Sequence, residues 1–289
     1  MKMTRQGYPI VTSDRTLYSY VIKRMLGSGG FGDVYEAVLY DLKLGVALKR
    51  FKVEPGSTAA GHESWSKEST THDSLSHPNI LQVFDAFEYD GFLFIATELA
   101  TASLDHCTPP GGWAESEVMN AGIQIASALH YMHTASGDGP LIHRDVTPNN
   151  IFYFQANSLF KLGDFGIAKQ LDGENDVAVT QIANWSFVAP ELARDGFSVP
   201  QSDLFQLGLV LYYMAQGKSA IDLSMPVKKK KAAIVGGAAY TAANDAYFVS
   251  DELQQIIKKL LLRDLNKRYS SAEEVVRDLR AAHKKHQAM

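Results

Sequence analysis

Cysteine is nearly missing from this chain of 289 residues, where Cys107 stands alone. An internal disulfide is therefore excluded, and a reducing compartment is the expected setting, with the cytoplasm as the expected location. No charge of one sign prevails. Against 32 acidic residues stand 28 basic ones, a net charge of −4, so the basic excess of a nucleic-acid binder is lacking and no nucleic-acid partner is expected. Long apolar runs are missing too. The most apolar stretch, Leu204–Ala215, falls short of the roughly 20 residues that a membrane-spanning helix needs. Residues Met1 to Asp14 lack the apolar core of a signal peptide, and no segment repeats. What remains, 46% hydrophobic and 21% charged, has the composition of a soluble globular protein large enough for two lobes.

The two halves differ in character. From Tyr18 to Leu99 the pattern is mostly that of strands. Ile80–Phe87 and Phe92–Thr97 flank Asp90-Gly91, a hairpin-turn signal. Val34–Leu39 and Val46–Phe51 read as a second pair around Gly45. The polar segment 59–75 is the one helix expected here, although its serines, threonines and Gly61 are weak helix formers. After Ser103 helices take over. Val118, Gly122, Ile125, Leu129 and Met132 form an apolar stripe at three- and four-residue spacing. Ser202 reads as the N-cap of an apolar helix closed by Gly217. Ser250 opens a helix that buries Leu253, Ile256, Ile257, Leu260 and Leu261, and Ser270 with Glu273 marks a capping box for the last helix. The expected class is α+β: an N-terminal extension (1–17), a small antiparallel-sheet lobe (18–99), and a larger mainly helical lobe (100–285), joined near Glu98–Ser103.

Three blocks carry the chemistry. The first is Gly27-Ser28-Gly29-Gly30-Phe31-Gly32-Asp33-Val34. Phosphates need close backbone N–H donors, and glycine lets a hairpin come near enough to offer them. These glycines lie between two strands, whereas the dinucleotide fingerprint lies between a strand and a helix, so that reading is set aside. The second block, His143-Arg144-Asp145-Val146-Thr147-Pro148-Asn149-Asn150, offers a carboxylate and an amide; the third, Asp164-Phe165-Gly166, offers another carboxylate. Together they make the parts for moving the terminal phosphoryl group of a nucleotide. Lys49, in Val46-Ala47-Leu48-Lys49, is placed to reach the α and β phosphates, with Glu63 or Glu68 as its acidic partner.

In these blocks the chain resembles the eukaryotic-type protein kinases of the serine/threonine branch, from Tyr18 to Leu279. The resemblance implies a two-lobed protein-kinase-like fold and phosphoryl transfer from ATP with Mg²⁺, or Mn²⁺ in its place. The His77-Pro78-Asn79-Ile80 block then selects Glu68 as the partner of Lys49. The same resemblance assigns Asp145 as the catalytic base, with Lys49, Glu68 and Asn150 completing the catalytic set, and Asn150 and Asp164 as metal ligands. Nucleotide would lie against Gly27, Ser28, Gly29, Gly30, Phe31, Gly32, Val34, Ala47, Lys49 and Phe152. Thr97 stands at the gatekeeper position, and Glu98 and Ala100 supply the hinge backbone that binds adenine. Glu191 of Ala189-Pro190-Glu191 should pair with Arg268, and Asp203 should anchor the catalytic-loop backbone.

The chain departs from that branch at two positions. Thr147 replaces a lysine and Asn184 a threonine, a coupled pair expected to hydrogen-bond to each other. His72 stands where an aliphatic residue is usual. Thr180 is the expected autophosphorylation site, ahead of Ser186, with Arg144 as the receiver of its phosphate. Lys228–Lys231 form a run that reads as a solvated face, or else as a docking patch for an acidic partner. The expected function is an ATP-dependent protein kinase acting on serine and threonine hydroxyls of a protein substrate. The alternatives are a pseudokinase serving as a nucleotide-binding scaffold and a small-molecule phosphotransferase of the same fold. The full set of Lys49, Glu68, Asp145, Asn150 and Asp164 weighs against the first. Ala189-Pro190-Glu191 with Arg268 weighs against the second.

Overall fold

The computed structural model describes residues 2–3, 8–14, 16–29, 32–51, 75–134, 139–164, 169–170, 185–248 and 250–288. The helix expected at 59–75, with Glu63, Glu68 and His72, therefore lies outside the described residues but for Leu75, as do Gly30, Phe31, Phe165, Gly166, Thr180 and Asn184. The chain divides into two compact units: Met1–Ser76, Ile80–Thr101 and Asp164–Gly166 form one, and the remainder forms the other.

The first unit is built on a seven-stranded antiparallel sheet in the order β1-β2-β3-β4-β5-β7-β6. Its strands are β1 (Lys2–Met3), β2 (Pro9–Thr12), β3 (Ser19–Ser28), β4 (Gly32–Leu39), β5 (Leu44–Phe51), β6 (Val83–Tyr89) and β7 (Phe92–Glu98). Asp90 and Gly91 both take positive φ, 54° and 75°, the backbone that a two-residue hairpin turn demands. Gly45 is not the turn between β4 and β5. It lies inside β5 opposite Val38, and the chain reverses at 40–43. Two-residue alternation sorts the faces. Val46 and Leu48 point into a cluster with Val11, Tyr20, Ala37, Leu39, Phe87 and Phe94, so Ala47 and Lys49 point to the other side. Tyr20 stacks on Phe87 at 5.2 Å and Phe87 on Phe94 at 5.3 Å.

The residues of the N-terminal extension join this sheet. Ile10, Val11 and Thr12 pair with Val21, Tyr20 and Ser19, and Val11 is buried. Asp85, buried on β6, accepts hydrogen bonds from Thr16 Oγ1 at 2.7 Å and Tyr20 Oη at 3.0 Å. Burial, with the Asp85 charge adding to it, pushes the Tyr20 phenol well above its ordinary pKa.

The second unit is largely helical. After β8 (Ala102–Ser103) come α1 (Leu104–Cys107), α2 (Glu115–Thr134), β9 (Leu141–Ile142), β10 (Ile151–Phe154), β11 (Leu159–Leu162) and β12 (Lys169–Gln170). Helices α3 (Pro190–Asp195), α4 (Pro200–Gln216), α5 (Val227–Gly236), α6 (Ala238–Asp245), α7 (Asp251–Leu260) and α8 (Ala272–Gln287) follow. The stripe expected on α2 is buried from Val118 to Met132. Helix α4 is apolar nearly all round, which marks the centre of a core. A β-carbon on its Gly208 would come within 2.7 Å of Leu260 Cβ, so glycine there lets α4 and α7 approach. Gly217 caps α4 with φ 64° and Ser250 caps α7 by accepting from Leu253 N, both as expected.

Two caps differ from expectation. Helix α4 begins at Pro200 with Val199 as N-cap. The Ser202 hydroxyl is taken by Val199 N, at 3.0 Å, and Glu191 Oε1, at 2.7 Å. Helix α8 is capped by Ser271, which accepts from Glu274 N, while Ser270 Oγ donates to Glu274 Oε1. The four-lysine run lies on α5, with Lys228, Lys229 and Lys231 exposed. Among the described residues no helix is long and apolar enough to cross a membrane.

Candidate active site

Each unit contributes a set of the expected residues. In the first unit, Gly27, Val34, Lys49 and Ile95 stand opposite one another in a row across β3, β4, β5 and β7. Ala47 occupies the next position on the same face, opposite Glu36 and Thr97. The glycine segment thus leads into the strand that faces Lys49. Gly29 N donates to Gly32 O at 2.8 Å. Buried Asp33 accepts from Ser28 Oγ at 2.6 Å and from Arg50 Nη2 at 2.7 Å, so a carboxylate on β4 ties β3 and β5 to it beside the loop.

The glycines differ in what holds them. A β-carbon at Gly32 would fall 2.3 Å from the Arg50 carbonyl oxygen, so packing itself demands glycine there. At Gly27 or Gly29 it would meet nothing within 4 Å among the described residues.

Lys49 Nζ lies 3.3 Å from Asp164 Oδ1, and the ammonium sits 4.8 Å from the centre of the Phe51 ring. Asp164 has φ 60°, a left-handed backbone that a β-carbon resists. Thr97 Oγ1 donates to Glu98 O at 3.3 Å. Glu98 N donates to Gln82 O at 3.1 Å, and Glu98 Oε1 accepts from Gln82 N at 2.7 Å, which fixes the start of the connector that continues to Ala100.

In the second unit, the loop after β9 carries His143, Arg144 and Asp145. Asn150, at the end of a 3-10 turn opened by Pro148, folds back and donates through Nδ2 to Asp145 Oδ2 at 2.7 Å and Asp145 O at 3.0 Å. His143 is buried and bridged at both nitrogens. Nδ1 accepts from Asp145 N at 3.2 Å, which leaves Nε2 to donate to Gly163 O at 3.2 Å. These partners require the neutral Nε2–H tautomer.

Helix α4 reaches this loop from below. Asp203, with no exposed surface, accepts from His143 N at 2.9 Å, Arg144 N at 2.8 Å and His133 Nε2 at 2.8 Å. Phe152, on β10, pairs with Ser103 and Lys161 and is half-buried. Thr147 is buried, as is Ser186.

Gln206, which sequence reasoning passed over, also stands here, as does Asn79 of the His77-Pro78-Asn79-Ile80 block, whose bonds were not foreseen. Gln206 contacts the backbone on both sides of Asp145. Asn79, buried, donates to Gln124 Oε1 at 2.8 Å and Phe160 O at 3.0 Å. An amide within an apolar helix or a loop has no local signature, because its partners are far away in the chain.

Comparison with known proteins identifies the family. A family model described as protein kinase domain matches residues 20–279. The chain is 27% identical over 270 residues to serine/threonine-protein kinase PrkC of Bacillus subtilis (strain 168), covering 91% of this chain and 40% of that protein. It is 29% identical over 263 residues to probable serine/threonine-protein kinase CPE1738 of Clostridium perfringens (strain 13 / Type A), covering 90% and 38%. To L-type lectin-domain containing receptor kinase IX.1 of Arabidopsis thaliana it is 33% identical over 205 residues, covering 69% and 30%. The chain thus spans less than half the length of these curated relatives.

Proposed function

Since the chain belongs to the protein kinase family, we propose that it transfers the γ-phosphoryl group of ATP to serine or threonine hydroxyls of proteins. One observation carries this reading: Asp145 is held through its carboxylate and its carbonyl by Asn150, while Asp203 grips the two peptide N–H groups before it. A carboxylate fixed so firmly suits a group that must orient a substrate hydroxyl and accept its proton. The hydroxyl oxygen bonds to the γ-phosphorus, the bond from that phosphorus to the β–γ bridging oxygen breaks, ADP leaves, and the proton passes to Asp145.

The glycine segment supports the donor. Among the described residues no packing contact asks for glycine at Gly27 or Gly29, whereas phosphate oxygens approaching backbone N–H groups do. Gly30, Phe31, Ser28 and Gly32 would complete that cover. Val34 and Ala47 would face the adenine ring beside Phe152, with Glu98 and Ala100 offering backbone to its edge. Lys49 would hold the α and β phosphates, with Glu68 as its acidic partner.

The donor chemistry also fits Mg²⁺, a hard cation that takes oxygen from one or two protein groups together with substrate phosphates. Asp164 brings a carboxylate. Asn150 turns its NH₂ end to Asp145 and so presents Oδ1 on the other side. These two residues would hold the cation, or Mn²⁺ in its place, and when bound it neutralises charge on the phosphates.

Serine or threonine as acceptor is supported by the bacterial relatives, whose names are those of serine/threonine-protein kinases, and by Pro148 in the catalytic loop. Autophosphorylation at Thr180 and a cytoplasmic setting for the lone thiol Cys107 belong to the same reading.

The test incubates the chain with labelled ATP, Mg²⁺ and a generic basic protein, then identifies the phosphorylated amino acids. Phosphoserine or phosphothreonine is expected, with Asp145→Asn lowering the rate about 10²-fold or more. Label entering only small molecules, or ATP left intact with every acceptor, would overturn the reading.

A further inference from the structure

Both peptide groups that flank Asp145 are held by one buried amide. Gln206 lies on α4, three residues after Asp203 and so on the same side of the helix. Its side chain is 3% exposed. Nε2 donates to Arg144 O at 2.9 Å and to Phe187 O at 3.0 Å, and Oε1 accepts from Val146 N at 3.1 Å. Two carbonyls require the NH₂ end and one N–H requires the oxygen, so the amide has a single workable orientation.

Arg144 adds a reason for the grip. Its φ is 70°, left-handed backbone at a residue with a β-carbon. Asp203 takes its N–H at 2.8 Å and Gln206 takes its carbonyl at 2.9 Å. Helix α4 therefore clamps both ends of the left-handed residue that precedes Asp145. The bond to Phe187 O extends the same amide to the segment that runs into Ala189-Pro190-Glu191.

We propose that Gln206 is a positioning residue: it sets the direction of the Asp145 carboxylate through the neighbouring peptides and ties the catalytic loop to the end of the activation segment. This deepens the kinase reading and rests on it. Three backbone groups bond to this one side chain, two of those bonds being buried, and an apolar residue of equal length makes none of them. Glutamate would turn lone pairs toward two carbonyls. Asparagine, one methylene shorter, does not span all three partners.

Steady-state kinetics of Q206M, beside wild type and Asp145→Asn, provide the test. A positioning role predicts a fall in kcat on the order of 10- to 100-fold, with KM for ATP within about twofold, because the residue touches the loop and not the nucleotide-binding strands. Q206N should lie between wild type and Q206M and serves as the second variant if Q206M does not fold. A kcat within about twofold of wild type in the folded variant overturns the proposal. So does a loss that merely tracks the folded fraction or ATP affinity.

Hydrogen exchange of the loop supplies a readout independent of turnover. Amides around Val146 should exchange faster in the variant while those of α2 do not change. Unchanged exchange overturns the proposal, even if wild type phosphorylates nothing and the kinase reading itself has failed.

Discussion

Glu191 and Arg268, 77 positions apart in the chain, meet as a two-pronged ion pair with Nη1–Oε1 at 2.9 Å and Nη2–Oε2 at 3.1 Å. Both side chains are closed to solvent, at 2% and 0% exposure. Arg268 also donates to Leu262 O and Gln201 O and lies over the Phe205 ring, and Glu191 accepts from Ser202 Oγ. With every polar atom of the pair engaged, the cost of burying two charges is offset by geometry and not by attraction alone. The pair joins the Ala189-Pro190-Glu191 segment to the start of α4 and to the stretch before α8.

Removing one partner should therefore be far worse than removing both. Arg268→Ala leaves a buried carboxylate without its counter-charge and is expected to cost about 3–5 kcal/mol, read as a lower urea midpoint. Combining it with Glu191→Gln should recover part of the loss, a non-additivity expected of residues in contact. A midpoint shift below about 1 kcal/mol for Arg268→Ala would refute the account.

The two kinds of glycine in the loop separate packing from ligand binding. At Gly32 an alanine methyl would fall 2.3 Å from the Arg50 carbonyl oxygen, so Gly32→Ala should lower thermal stability. At Gly29 the same methyl meets no atom of the described residues within 4 Å. Gly29→Ala should then melt like wild type yet raise KM for ATP several-fold. Equal KM values for Gly29→Ala and wild type would remove the phosphate from the argument.

Much of this was legible in the chain because its signals were local. Asp90-Gly91 announces a hairpin since both residues tolerate positive φ, and the stripe from Val118 to Met132 announces a buried helix by its spacing alone. Ser202 and Ser270 misled for the opposite reason. A serine at the head of an apolar run looks like a cap, but Ser202 is drawn to Glu191, and Ser270 bonds the Glu274 side chain while its neighbour caps the helix. Strand β2 gave little warning, being four residues with a proline at the first position, where a strand tolerates one. Gln206 was invisible. The Arg144 and Val146 groups that it binds lie about 60 positions earlier, and nothing beside it in the sequence hints at them.

Acid should weaken the protein partly through His77. Burial holds its pKa below the ordinary 6.5, and Nδ1 accepts from Asn79 N at 3.1 Å, a bond that the protonated ring cannot accept. The unfolded chain binds the proton more readily, so the native state loses stability as pH falls below about 6.5, down to the depressed native value. His77→Gln has no proton to gain. Its urea midpoint should drop less between pH 7 and pH 5 than that of wild type, and parallel curves would dismiss the histidine.

Asp203 shows why the same helix must present a carboxylate and not its neutral twin. Three donors converge on its two oxygens: His143 N and Arg144 N from the loop, and His133 Nε2 from α2. Asparagine keeps the shape but has one acceptor oxygen, so its NH₂ would be forced against an N–H of the loop. Leaving a buried donor unmatched costs about 1–3 kcal/mol, which Asp203→Asn should show as reduced unfolding free energy. The loop that it holds carries Asp145, so kcat should fall further than stability does, by roughly 10²-fold, with ATP affinity retained in equilibrium binding. An Asp203→Asn enzyme that is less stable yet turns over normally would mean that the loop keeps its shape without this anchor.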